Sequence, residues 1–451
     1  MTELLSIILA AGEGTRMNSA LPKVLHPIGG APLVAHVLRT ARAAGSTALA
    51  VVVGPNHEAV RAEVAALAPE ASVGIQAERK GTAHAVRQVE EILASAHGYV
   101  IVLYADTPFV SAATIAQISR RLEQGSDVVV VGFRPADPTG YGRLLTSDGR
   151  LTAIREHRDA SPEELAIGLC NSGIMGFRAE ILRGVIGRIG NANAKGEFYL
   201  TDAVELANGD GRRVDFVETD ANEVIGVDNR AKLAEAEAIF QDLRRGDFMA
   251  AGVTLKDPRT VYFSWDTEIG RDVTIEPNVV IGPGVKVGDN VLIRAFSHLE
   301  DVTIGAESSV GPFTRIRGGA VLEDDVHLGN FVEVKKSVIH AGVKAGHLSY
   351  LGDAEIGNRT NIGAGTITCN YDGVNKSKTT VGADAFIGSN TSLVAPVTIG
   401  DRAYIASGSV VTHDVEADAV AFGRARQENK LGYAPKIRAR SEAIKARKAK
   451  G

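Results

Sequence analysis

The sequence predicts an α/β domain on a doubly wound, mostly parallel sheet, followed by a parallel β-helix. Three observations predict it. Apolar runs alternate with helical patterns from Leu4 to Val227, the rhythm of βαβ units. Beyond them an aliphatic residue recurs every sixth position, usually followed by Gly, as in a stack of hexapeptide coils. At 451 residues the chain is also too long for one ordinary core.

The first strands are expected at Leu4–Leu9, Ala48–Val53, Tyr99–Leu103, residues 127–132 and Val224–Val227. Helical patterns at Pro32–Ala44, Glu58–Leu67, Ala83–Ala94 and Ala112–Leu122 separate them. In such a sheet ligands bind beyond the carboxyl ends of the strands. From Asn229 to Ala250 an alanine-rich run reads as one helix, a rigid connector at residues 229–250. The hexad then starts at Ile269, Ile275, Ile281, Val287 and Ile293. It continues in phase at Ile304, Val310, Ile316, Leu322, Leu328 and Val334, and again from Val381 through Ile387, Leu393, Ile399 and Ile405 to Val411. Helical spacing of three and four is missing there, so a helix is excluded. The run Thr368–Lys378 interrupts the repeat and reads as an inserted loop. Residues 435–451 carry seven Lys or Arg against Glu442 alone, a basic tail expected to be solvated and flexible, with help in holding a phosphorylated ligand as the other reading.

Composition excludes several classes. A hydrophobic content of 45% with 23% charged residues fits a soluble globular protein. Net charge of −5 offers no general attraction to nucleic acid or an anionic membrane. Cys170 and Cys369 fall in different domains, which argues for a reducing compartment. The run Leu4–Ala11 could pass for a signal segment, but Glu3 precedes it and Glu13 and Arg16 follow. A cytoplasmic enzyme or binding protein without a membrane span is expected.

Chemistry-bearing residues gather after the strands. Leu9-Ala10-Ala11-Gly12-Glu13-Gly14-Thr15-Arg16 lets backbone N–H groups approach a nucleotide, and Arg16 supplies charge for its phosphates. A tight strand-to-helix turn would explain the glycines equally well, and the loop is neither a Walker loop nor a full dinucleotide fingerprint. Lys23, set by Pro22, falls near the same loop, and with Arg16 it suits clamping of a transferring phosphoryl group. Asp106, ending a strand, reads alone as either a helix cap or a metal ligand, and Asn229 alone as a cap. In the β-helix, His347 has company in Lys335, Tyr350 and Asn361 on neighbouring coils, and imidazole titrates near neutrality as a general base requires. Arg317 and Lys335 suit a sugar phosphate.

Gly-x-Gly-Thr-Arg-Met with Pro-Lys resembles the sugar-nucleotidyltransferase family. Gln76-Ala77-Glu78 and Gly81-Thr82-Ala83-His84 resemble its uracil-reading segment. Tyr104-Ala105-Asp106, Thr139–Arg143 with Gly142, Glu156-His157 and Asn171-Ser172-Gly173 resemble its sugar and metal loops. Together with Lys-Ala-Gly-His and Cys-Asn-Tyr-Asp-Gly in the repeat, the chain from Leu4 to Tyr433 resembles the bacterial bifunctional N-acetylglucosamine-1-phosphate uridylyltransferase/glucosamine-1-phosphate acetyltransferases.

That resemblance implies a Rossmann-like nucleotidyltransferase domain at residues 1–228 and a left-handed β-helix acetyltransferase domain at 251–434. It implies Mg²⁺ on Asp106 and Asn229, UTP and acetyl-CoA as co-substrates, and sugar phosphates as acceptors. It places Glu333 beside His347, Asn361 and Lys376 at the sugar phosphate, and acetyl-CoA near Ala364, Asn370, Tyr371, Ser389, Ser407 and Arg424. A homotrimer formed through the β-helix and a product feeding peptidoglycan and other envelope glycans are also implied. Two positions depart from the family pattern: Ala105 replaces Gly, and Gly318 replaces Pro after Arg317. A nucleotidyltransferase with the β-helix as a mere oligomerisation arm, and a non-catalytic scaffold binding sugar nucleotides, are the competing readings. A structural arm needs neither the His347 cluster nor the Asn370–Lys376 loop, and a scaffold has no need of the complete set Arg16, Lys23, Asp106 and Asn229.

Overall fold

The computed structural model describes residues 3–147 and 149–449. The chain divides into two compact units. One runs to Asp247 and takes in Phe263–Trp265; the other holds Phe248–Tyr262 and the chain from Asp266 onward.

In the first unit seven strands form the main path of one sheet. Their order is Val214–Thr219, Val128–Phe133, Cys170–Arg178, Tyr99–Tyr104, Leu4–Ala10, Ala48–Val53 and Ser72–Ile75. Only Cys170–Arg178 runs antiparallel to its neighbours. Both faces are covered, which explains why the strands read as unbroken apolar runs. Leu5, Ile7 and Leu9 pack on one side and Leu4, Ile8 and Ala10 on the other. From Leu4–Ala10 the chain goes first to Ala48–Val53 on one flank and later to Tyr99–Tyr104 on the other. This reversal is the switch point where a crevice opens at the strands' carboxyl ends.

Two expectations are corrected here. Val224–Val227 is not a strand: Ala221–Val224 is a 3₁₀ turn, and the edge strand is Val214–Thr219. An apolar run of four cannot distinguish a strand from a buried connector, and Val227 N donates to Asp106 O at 2.9 Å instead. The helix expected over 83–94 is two, Thr82–Arg87 and Glu90–Ser95. Helix Arg230–Ala250 is anchored on the first unit, Ala236 and Phe240 packing with Ile28, Leu33 and Val227 in its core.

The second unit is a β-helix of three parallel sheets whose strands are two to four residues long. Its rungs are the hexad residues: Ile275 pairs with Ile293, Ile293 with Val310, and Val310 with Leu328. Each is buried, and each such side chain stabilises by roughly 1.5–3 kcal/mol. Among the corners are residues held at positive φ, including Phe296, Phe313, Phe331 and Leu348. The basic tail is not irregular: Tyr433–Lys448 is a helix with no buried residue. Its Ala, Lys and Arg content favours that geometry without packing. Among the described residues no helix is long and apolar enough to cross a membrane.

Candidate functional sites

At the switch point of the first unit lies a cavity of about 230 Å³. Leu9, Ala10, Ala11, Gly12, Lys23, Gln76, Gly81, Thr82, Tyr104 and Asp106 all line it, as the sequence motifs imply. Glycines shape its walls. Gly81 sits at φ +105°, and an added Cβ would lie 2.5 Å from Phe198 O, so no side chain fits. Gln76 is buried, its amide donating to Gly81 O at 3.0 Å. Thr82 Oγ1 accepts from Leu200 N at 2.9 Å. Burial, then Asp106 and Glu156, push the Tyr104 phenol up and keep it neutral.

The electrostatic centre is Lys23. Its ammonium contacts Asp106 Oδ2 and lies 3.3 Å from Asp228 Oδ1, while Arg16 Nη2 lies 3.1 Å from Asp228 Oδ2. Burial works against the charge, but the two carboxylates outweigh it and raise Lys23 above its ordinary value. Asp106 is no helix cap, since Ser111 caps the following helix by accepting from Thr114 N. Asn229, by contrast, is one: its Oδ1 accepts from Lys232 N at 2.9 Å at the start of helix Arg230–Ala250. Asp228 is the carboxylate that joins Asp106 around Lys23, and Asn229 follows it at the start of the helix. Among the described residues no three metal-binding side chains cluster, so a cation here would take further ligands from substrate and water.

Arg16 and Glu156 border a second cavity of about 480 Å³, with Lys195 and Tyr199. Burial raises the Glu156 carboxyl above its ordinary range. Gly142 and Asn171 are joined, Asn171 N donating to Gly142 O at 2.8 Å, and Asn171 Oδ1 accepts from Gly173 N at 3.0 Å. Ala105 is wholly buried, its methyl in the core that also holds Val24 and Val110. Arg79 was not foreseen. It donates to Ala11 O at 2.8 Å and pairs with Glu13, clasping the nucleotide loop from the other side.

In the second unit His347 ends strand Lys344–His347, and Tyr350 begins the next strand past the corner Leu348–Ser349. The position is repeated along the edge. Asn330, His347, Ala364, Ser389 and Ser407 each immediately precede a residue at positive φ. Hydrogen bonds join neighbouring coils here: Leu348 N to Asn330 O, Asn390 N to Ala364 O and Gly408 N to Ser389 O. Arg424 reaches the same edge, its Cδ 3.6 Å from where a Cβ on Gly408 would lie. His347 is exposed, and its Nδ1 donates to Asn330 Oδ1 at 2.6 Å, which leaves Nε2 with the free lone pair. Glu333, implied to orient or polarise the imidazole, is bound by Arg317 through Nε at 2.9 Å and Nη2 at 2.8 Å.

Arg317 pairs in register with Lys335 on the next coil. Lys376 and then Arg317 depress the Lys335 ammonium, so three cations crowd one place. Tyr350 turns its ring over Gly352, where an added Cβ would meet its hydroxyl at 2.3 Å. Asn361 lies in register with Lys344, on the coil next to His347 in the same sheet. Asn370 is buried and donates to Asp353 Oδ2 at 2.5 Å, rooting the inserted loop, while Tyr371 stands exposed on it. Gly318, where the family pattern has Pro, takes a left-handed backbone. Its φ of +73° is closed to Pro, and Arg317 is placed by Glu333.

Comparison with known proteins agrees with both halves. Residues 6–163 match the MobA-like NTP transferase domain family. Residues 266–300 and 378–413 match the bacterial transferase hexapeptide (six repeats) family. A protein of Azorhizobium caulinodans named "Bifunctional protein GlmU" is 55% identical over 436 residues, 97% of each chain. Its namesake in Sinorhizobium fredii is 53% identical, covering 99% of this chain and 98% of that one. The one in Paramagnetospirillum magneticum is 51% identical over 99% of both.

Proposed function

This chain belongs to the bifunctional GlmU family, and from that premise we propose how its two sites divide the work. It is both a glucosamine-1-phosphate N-acetyltransferase and an N-acetylglucosamine-1-phosphate uridylyltransferase. The assignment proposed is uridylyl transfer at the Lys23 cavity and acetyl transfer along the His347 edge. One observation carries it. The base His347 and the acetyl-CoA residues Ala364, Ser389 and Ser407 occupy equivalent positions along a single edge, far along the chain from Lys23.

At the first site the acceptor's phosphate attacks the α-phosphorus of UTP, and pyrophosphate leaves in line. Such a reaction asks for positioning and charge neutralisation more than for a base. Lys23 and Arg16 supply positive charge to the transferring group, the loop Leu9–Gly12 receives the base and phosphates, and Gln76 faces the uracil. The oxygen donors Asp106 and Asp228 fit a hard divalent cation such as Mg²⁺, with Asn229 serving the helix. Such an ion would neutralise phosphate charge when bound. Replacing Asp228 with Ala should raise the Mg²⁺ midpoint of uridylyl transfer by on the order of 10-fold or more. Asn229→Ala should cost about 1 kcal/mol of stability as a lost cap and leave that midpoint in place. The reverse outcome in a Mg²⁺ titration of both variants would return the metal to Asn229.

At the second site the amine of glucosamine 1-phosphate attacks the thioester carbonyl of acetyl-CoA. His347 Nε2 takes the proton, and the thiol of CoA leaves. Arg317, Lys335 and Lys376 hold the sugar phosphate, and Ala364, Ser389, Ser407 and Arg424 line the path of acetyl-CoA. Thiol release from acetyl-CoA with glucosamine 1-phosphate, beside pyrophosphate release from UTP, tests the division. Pyrophosphate without thiol would reduce the β-helix to an assembly arm.

The assembly is a homotrimer in this reading. Phe296, Phe313 and Phe331 stack at 4.8 and 5.2 Å, half-exposed, with Leu348 next along the same corner as His347. An exposed apolar ladder favours contact with another copy, which would also close a catalytic edge that lies open in one chain. Sedimentation should give the trimer mass; a stable monomer with full acetyl transfer would overturn it. The cytoplasm, where UTP and acetyl-CoA are found, is the compartment that fits.

A further inference from the structure

A line of charges ties the inserted loop to the coils beneath it. His340 follows strand Val338–Ile339 at a corner of the β-helix. Its Nδ1 lies 3.0 Å from Glu323 Oε1 on the preceding coil, and its Nε2 3.2 Å from Glu355 Oε1 on the following one. The other oxygen of Glu355 accepts from Lys378 Nζ at 2.5 Å. Lys378 closes the loop that carries Lys376, immediately before strand Thr379–Val381. Glu323 is itself anchored, its Oε2 accepting from Ala341 N at 3.0 Å.

An ionised carboxylate can only accept a hydrogen bond, so a ring nitrogen facing one must carry a proton. Both nitrogens of His340 face carboxylates, and only imidazolium satisfies both. Neutral imidazole would turn a lone pair toward one of them. We propose that His340 is a positioning residue for acetyl transfer: as a cation it steadies Glu355 against Lys378 and so fixes the loop that presents Lys376. This rests on the assignment of Lys376 to the sugar phosphate.

The charged groups facing His340 are Glu323 and Glu355, with Lys378 reached through Glu355. Burial lowers its pKa, but the two glutamates outweigh burial and raise it above the ordinary value. The tie is therefore complete below imidazole's unfolded value of ~6.5 and is lost as pH rises through the raised folded value.

Hydrogen exchange of residues 370–378 in the full-length protein tests this, comparing wild type with His340→Gln at pH 6 and pH 9. At pH 6 the wild-type loop should exchange roughly three- to tenfold more slowly than the variant's, and at pH 9 the two should match. The KM for glucosamine 1-phosphate at pH 6 should rise in the variant by a similar factor, with kcat and uridylyl transfer unchanged. Equal exchange at pH 6 overturns the tie, whatever the acetyl assay gives. Slower exchange with an unchanged KM overturns the positioning role alone. A wild type that shows the exchange difference but cannot acetylate glucosamine 1-phosphate overturns the site assignment and the positioning role with it.

Discussion

Replacing His347 with Ala should slow acetyl transfer by roughly 10²- to 10⁴-fold, the range for a lost general base, and leave uridylyl transfer intact. The tautomer makes the expectation specific. Asn330 accepts from Nδ1, so the free lone pair on Nε2 is the one available to the attacking amine. Asn330→Ala should therefore share part of the loss, because the ring would no longer be held in one tautomer. Single-turnover acetylation at saturating substrates is the measurement. A His347→Ala protein running at the wild-type rate would make His347 structural and send the search for a base to other residues of the edge.

Lys23→Ala should lower uridylyl transfer by on the order of 10²-fold or more, as for the loss of a transition-state charge partner. Acetyl transfer should stay near normal, since Lys23 belongs to the other compact unit. The variant also leaves Asp106 and Asp228 without the ammonium between them. Its thermal midpoint should be measured alongside, so that a folding defect is told apart from a catalytic one. Equal loss of both activities in a folded variant would contradict the separation of sites.

The parts of the molecule legible in sequence are those where one backbone geometry admits few residue types. A β-helix rung accepts only an aliphatic side chain, so Ile275, Ile293, Val310 and Leu328 announced themselves by spacing. A loop closing on a nucleotide needs Gly at Gly81, where Phe198 O stands in the way of any Cβ. What spacing alone left open were choices between near neighbours. That Asp228 contacts Lys23 while Asn229 accepts from Lys232 N depends on where a helix begins, and spacing does not fix that to one residue. Which residue holds His347 depends on how successive coils register. Asn330, 17 residues away, is in register with it, and Glu333 is taken by Arg317. The segment Val224–Val227 misled because buried connectors and short strands share one composition.

The β-helix has one more consequence, for how the protein comes apart. Each coil touches only the coils above and below, so stability is passed along a single dimension and a free end frays first. Strand Val420–Ala421 is the last rung of its sheet, with no further strand paired to it among the described residues. Unravelling from that end reaches Ser407 before Ser389, and both before His347. Mild denaturation should therefore weaken the hold on acetyl-CoA while the general base still stands on an intact stack, and the enzyme would lose its donor before its chemistry.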